Sequence, residues 1–118
     1  MKIAIIGSRD LKNYDYFLDK LKEALEKYSI KPSLIISGGA KGVDTHAKRY
    51  ANDNNIELKE FLPDYTKYYF KEAPLKRNDQ IIDEADCILA FWNGSSKGTQ
   101  YVINRSRNLE KDCIIIYL

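Results

Sequence analysis

Two patterns of apolar residues alternate along the chain. Solid runs of a few apolar residues give way to stretches where apolar residues recur every three or four positions. The first run, Lys2–Ile6, stops at Gly7-Ser8 and reads as a strand covered on both faces. From Tyr14 to Tyr28 the apolar positions are Tyr14, Phe17, Leu18, Leu21, Ala24, Leu25 and Tyr28, with Lys and Glu between them. That spacing predicts an amphipathic helix. Lys31-Pro32 breaks it, Leu34-Ile35-Ile36 is a second buried strand, and Ser37-Gly38-Gly39-Ala40-Lys41-Gly42 is the turn that follows. A second helix is expected from Val43 to Asn54, with Val43, Ala47, Tyr50 and Ala51 inward. Glu57–Phe61 reads as a third strand, and an aromatic-rich connection runs from Leu62 to Ala73. A third helix starts near Pro74, a residue favoured in a first turn, and carries Leu75, Asn78, Ile81, Ile82 and Ala85. Cys87–Trp92 is the fourth strand, Asn93–Gly98 a loop, Thr99–Glu110 the fourth helix and Cys113–Leu118 the fifth strand.

Strands that alternate with helices, and that are solid apolar runs, define an α/β domain. Its parallel five-stranded sheet has right-handed crossovers and helices on both faces. No repeat, linker or low-complexity stretch divides residues 1–118, so one domain is expected. With a strand order of roughly 3-2-1-4-5, the ligand edge lies beyond the carboxyl ends of the strands where the winding reverses. The loops gathered there are Gly7-Ser8-Arg9, Ser37–Gly42 and Gly94–Thr99.

Those loops have the chemistry of a phosphate site. Gly38, Gly39 and Gly42 allow close backbone approach and positive φ, and the loop then opens a helix whose first N–H groups favour an anion. Gly98-Thr99 repeats the arrangement at the fourth helix. Ser8, Ser37, Ser95, Ser96 and Thr99 offer hydroxyls, and Arg9, Lys41, Arg77 and Lys97 offer charge. Neither loop is a Walker A sequence, since Lys97-Gly98-Thr99 has its order reversed, and no G-x-G-x-x-G follows the first strand. Asp44 either caps the second helix or accepts ribose or base hydrogen bonds. Asn78 either contacts a base or packs, and Trp92 either stacks on a base or closes the core. His46, the single histidine, is expected on the outward, solvated side of the second helix. The Tyr65–Phe70 cluster is either a lid over the ligand or a subunit contact. No catalytic residue stands out, and no Cys/His spacing suits a metal.

Composition narrows the partners. Lys and Arg number 19 against 17 Asp and Glu, a net charge of +2, too mild for a duplex DNA binder. Cys87 and Cys113 each adjoin an apolar run and are expected to be reduced core residues. The opening run is too short for a signal-peptide core or a membrane span. A cytoplasmic protein is expected.

Four motifs, Ile-Gly-Ser-Arg at 6–9, Ser-Gly-Gly-Ala-Lys-Gly-Val-Asp at 37–44, Arg77-Asn78, and Phe-Trp-Asn-Gly-Ser-Ser-Lys-Gly-Thr at 91–99, together resemble the SLOG superfamily. That group takes in the DNA-processing protein DprA (Smf) and the Lonely Guy (LOG) cytokinin-activating enzymes. The closest resemblance is to its small stand-alone YspA-like branch. It implies a Rossmann-like three-layer sandwich, a site for nucleotides or their derivatives, and frequent homodimers. LOG enzymes carry Gly-Gly-x-Gly-Thr-x-x-Glu, whose Glu supports hydrolysis of a nucleoside monophosphate; here Val102 stands at the Glu position.

The leading expectation is therefore a binding module, a sensor or sponge for a mononucleotide or ADP-ribose-like molecule. The nucleotide itself is the ligand, with no further cofactor implied and no metal. A nucleotide hydrolase using Asp44 or another carboxylate is the alternative, and a DprA-like single-strand binder comes third. A homodimer or higher homo-oligomer is the expected assembly; membrane and nucleic-acid partners are not expected.

Overall fold

A computed structural model describes all residues, Met1–Leu118. The elements are β1 (Lys2–Gly7), α1 (Tyr14–Lys27), β2 (Leu34–Ser37), α2 (Val43–Asp53), β3 (Glu57–Glu60), α3 (Ala73–Glu84), β4 (Cys87–Trp92), α4 (Lys97–Asn108) and β5 (Asp112–Tyr117). The strands form one sheet in the order β3-β2-β1-β4-β5, and every neighbouring pair is parallel. This is the Rossmann-like architecture read from the alternating pattern.

Alternation along each strand divides the core in two. Ile3 and Ile5 of β1, Ile35 of β2, and Cys87, Leu89 and Phe91 of β4 face α1 and α2, where Phe17, Leu21, Val43, Ala47 and Ala51 meet them. Ala4, Ile6, Ile36, Ile88 and Ala90 face the other way, onto Ile81 and Ile82 of α3 and Val102 and Ile103 of α4. The strands buried on both faces thus need apolar residues at every position. Cys87 and Cys113 pack on opposite faces of the sheet and both are free thiols.

Helix ends are specified locally. Asn13 caps α1 by accepting from the Tyr16 N–H at 3.1 Å. Three helices stop at a non-glycine residue in the left-handed region, Ser29, Asn55 and Glu110. After each, the next N–H (Ile30, Ile56, Lys111) donates back to the last turn, to the carbonyls of Leu25, Ala51 and Ser106. The chain then runs into the following strand.

Several expectations change. β3 is not a solid apolar run: Glu57, Lys59 and Glu60 are exposed. As an edge strand it presents charge, which discourages pairing with another chain. Helix α4 opens two residues earlier than expected because the Asn93 side chain accepts from the Ser95 and Ser96 N–H groups (2.9 and 2.8 Å) and completes the turn early. Gly98 therefore lies in the first turn of the helix, and Leu109, half exposed, falls at its C-cap. His46 is not on the solvated side of α2. Its Nε2 lies 2.8 Å from the Leu11 carbonyl, and its ring packs against Tyr14 and Phe17 at centroid distances of 5.6 and 5.5 Å. Position 46 flanks Ala47 on the helix, close enough to the buried stripe for α1 to cover it.

β1 and β4 approach closely where the site begins. A Cβ on Gly7 would stand 2.8 Å from Phe91 Cβ and 2.9 Å from Val43 Cγ2, whereas one on Gly98 would meet nothing within 4 Å. Overpacking of this kind costs about 1–3 kcal/mol. Gly7→Ala should lower stability by that amount in urea unfolding. Gly98→Ala should leave it unchanged or raise it by up to about 1 kcal/mol through helix propensity. Equal stabilities for the two variants would contradict the close approach.

Candidate functional site

The winding reverses between β1 and β4, and a cavity of about 390 Å³ opens at the carboxyl ends of β1, β2 and β4. That volume suits a small organic ligand. Its floor is apolar, made by Ile6, Ile81 and Val102, and its walls are polar.

The wall after β1 and β2 is fixed by backbone contacts. Gly42, with φ +72°, caps α2 and leaves no room for a Cβ against the Ser8 and Arg9 carbonyls. The helix can then dock its Val43 N–H on the Ser8 carbonyl at 3.2 Å. In the first turn of α2, Asp44 reaches back, and its Oδ2 accepts from the Ala40 N–H at 3.1 Å. The aspartate thus secures the Gly-rich loop and is not the helix cap, a place taken by Gly42. Gly38 also departs from expectation. Its φ is not positive; a Cβ there would stand 2.6 Å from Arg77 Nη1. The missing side chain makes room for a guanidinium. Arg77, buried in α3, donates from Nη1 to the Gly38 carbonyl at 2.6 Å and the Phe61 carbonyl at 3.5 Å, and from Nε to Asn78 Oδ1 at 2.8 Å.

The opposite wall is the start of α4. Asn93 folds the loop, Ser96 Oγ and Thr99 Oγ1 lie 3.1 Å apart, and no side chain caps the first-turn N–H groups. Gly98 faces open space beside them. An uncapped helix start of this kind favours an anion.

Two buried side-chain atoms have no hydrogen-bond partner, Ser8 Oγ and Asp44 Oδ1, and both residues line this cavity. Ser8 is 2% exposed and Asp44 7%. Buried polar groups are almost always satisfied, so this unpartnered pair sets the cavity apart from the rest of the core. Burial pushes Asp44 up to about 6, against the opposing pull of the Ala40 N–H and the Arg77 and Arg9 charges. Burial likewise draws Arg77 down while Asp44 holds it up.

Of the residues expected at the site, Gly7, Ser8, Arg9, Gly38, Ala40, Asp44, Arg77, Asn78, Ser95, Ser96, Gly98 and Thr99 line the cavity. Ser37, Gly39, Lys41, Gly42, Trp92, Gly94 and Lys97 do not. Ser37 Oγ accepts from the Gly39 N–H (3.3 Å) and so shapes the loop from behind. Trp92 donates from Nε1 to the Ser96 carbonyl at 3.1 Å and packs its ring on Tyr117. It therefore holds the α4 loop from outside the cavity. Asp10 and Asn93 were not singled out from sequence, although the Asn93-Gly94 pair carries a turn signal. No helix is long and apolar enough to cross a membrane. No group of three His, Cys, Asp or Glu side chains comes together to hold a metal ion.

Fold and site together define a Rossmann-like domain with its ligand edge at the switch point. The chain belongs to the YspA, cpYpsA-related SLOG family (YAcAr), whose sequence model matches residues 1–68. Among solved structures it is similar to DNA processing protein A (DprA) from Streptococcus pneumoniae, with a TM-score of 0.74 and 17% identity. The similarity covers 97% of this chain and 49% of that one, so the chain spans about half that protein's length. At this identity the likeness is one of fold. No curated protein matches the sequence.

Asp44 sets a pH dependence. Below pH 3.8 the carboxyl is protonated whether the chain is folded or not. Between 3.8 and about 6 the folded protein keeps a proton that the unfolded chain has released, so stability falls as pH rises. Above pH 6 the loss is complete, about 3 kcal/mol for a shift of this size. Asp44→Asn should remove this component and make the ligand-free protein more stable than wild type at pH 7.5, with little difference at pH 4. Urea unfolding at both values checks it; an equal difference at the two would contradict it.

Proposed function

We propose that this domain binds a phosphorylated, nucleotide-derived small molecule, a mononucleotide or an ADP-ribose-like compound, and acts as a sensor or sponge for it. The observation that carries this reading is the pairing, in one cavity, of the unpartnered Ser8 and Asp44 oxygens with the uncapped start of α4. A carboxylate oxygen at neutral pH accepts hydrogen bonds and repels anions, so it suits a sugar hydroxyl. The helix start and the Arg9 guanidinium suit a phosphate. A phosphorylated ribose carries both groups. Membership of the SLOG family supports the same ligand class.

Hydrolysis at this site is the second reading. It draws on Asp44, whose burial raises it toward the range of a general acid or base. Val102, an apolar residue on the cavity floor, supplies no second ionisable group. Under the binding reading, AMP and ADP-ribose incubated with the protein are recovered intact by mass spectrometry.

Gly98→Val places a branched side chain beside the α4 amides, in space that is empty in the protein. Wild type should gain about 3 kcal/mol of stability at a ligand concentration one hundred times Kd, seen as a rise in melting temperature. The variant should melt normally and gain nothing. Affinity should fall with salt at a log–log slope of roughly 1–2, as expected when one or two phosphates are neutralised. Undiminished ligand stabilisation of Gly98→Val would remove α4 from the site. A mixed-sequence oligonucleotide that bound more tightly than every mononucleotide, with a steep slope, would replace the small-molecule reading with a single-strand one.

A further inference from the structure

The cavity holds anion and hydroxyl partners but no aromatic ring lines it. Trp92, the aromatic nearest its rim in sequence, is turned away and engaged with Tyr117. A nucleotide seated by its phosphate and sugar would therefore find no ring inside for its base.

Such rings stand next door. The connection between β3 and α3 leaves Leu62, Tyr65, Tyr69 and Phe70 between 59% and 80% exposed. Its root is tied to the cavity wall at two points. Arg77 donates to the Phe61 carbonyl, and the Leu62 side chain fills the space beside Gly39. Residues 64–67 are then held in a fixed turn. Asp64 Oδ1 accepts from the Thr66 N–H at 3.0 Å, the Thr66 hydroxyl at 2.6 Å and the Lys67 N–H at 3.3 Å. Tyr65 sits inside that turn, three residues beyond Leu62, and its ring is exposed. Tyr68 and Phe70 already lie under lysine ammonium groups, of Lys67 and Lys76 and of Lys71, whereas Tyr65 has neither a cation nor a ring against its faces.

The strand order sets these groups in a line. Crossing the ligand edge from β4 to β3, the chain presents the α4 start, then Ser8, then Asp44 and Gly38, then Tyr65. With strands about 4.8 Å apart, three spacings give roughly 14 Å between β4 and β3, the strands whose following connections lead to the α4 start and to Tyr65. Phosphate, sugar and base follow one another in the same sequence along a nucleotide.

We infer that Tyr65 forms a stacking subsite for the heteroaromatic base of the bound nucleotide, outside the cavity and continuous with it. The inference rests on the phosphate-and-sugar reading of the cavity. Stacking on an aromatic side chain tolerates any base, because every base has a π-face. The subsite accordingly sets affinity for nucleotides over sugar phosphates more than choice among bases. The fixed Asp64 turn lowers the backbone ordering cost of presenting the ring, leaving that of the Tyr65 side chain itself.

Calorimetric titration of AMP, GMP, CMP, UMP and ribose 5-phosphate tests this. Wild type should bind at least one nucleotide roughly tenfold or more tightly than ribose 5-phosphate. Tyr65→Ala, at an exposed position, should weaken the nucleotide by that factor and leave ribose 5-phosphate unchanged. Tyr65→Phe should restore the difference, since it keeps the ring. An unchanged ratio in Tyr65→Ala, or ribose 5-phosphate binding wild type as tightly as every nucleotide, would overturn the subsite and leave the cavity reading standing. Failure of all five, and of ADP-ribose, to bind wild type would remove the cavity reading, and this subsite with it.

Discussion

The reversal of winding between β1 and β4 is the constraint on which the rest of the structure depends. From β1 the chain moves through α1 and α2 to β2 and β3 on one side, then returns through α3 to β4 on the other. Right-handed crossovers put those two helix pairs on opposite faces. No crossover then covers the carboxyl ends of β1 and β4, and a cleft is left where three loops meet. Gly7, wedged between Phe91 and Val43, draws the strands together at this point, and Gly42 lets α2 dock on the Ser8 carbonyl.

Given that cleft, the polar wall follows from a few exchanges between side chains and glycines. Arg77 crosses from α3 to hold the Gly38 carbonyl, and only a residue without a Cβ leaves it room. Asp44 holds the Ala40 amide with one oxygen and leaves the other free. Satisfying the loop thus occupies one of the two Asp44 oxygens. The second Asp44 oxygen and the Ser8 hydroxyl stay buried without a partner, in residues that line the cavity, at a cost in stability.

Much of this was legible in the sequence. Solid runs such as Ile3–Ile6 and Ile88–Phe91 mark strands buried on both faces, and the stripes of α1 and α2 have an unmistakable helical period. The site was legible as a set of loops because small residues cluster where helices begin. Individual roles were not. Gly38 reads in sequence as a residue of positive φ, but its function is steric and depends on Arg77, distant in the chain. Trp92 ends a strand at the ligand edge, and only the turn made by Asn93 shows that its ring leaves the cavity. His46 lies three positions after Val43 and four before Tyr50, the spacing of the buried stripe itself, so its inward side was legible and its polar character pointed the other way. β3 departs from the apolar rule because an edge strand must resist pairing, a demand set by topology.

The central claim is that an anion rests on the start of α4 while a hydroxyl completes Ser8 and Asp44. Amide chemical-shift mapping during titration with AMP tests it most directly. The amides of Ser8, Ala40, Gly98 and Thr99 should shift together and saturate at one affinity, and those of β3 and the amino-terminal ends of the strands should stay in place. Shifts centred elsewhere, or Gly98 and Thr99 unmoved while AMP binds, would contradict the account.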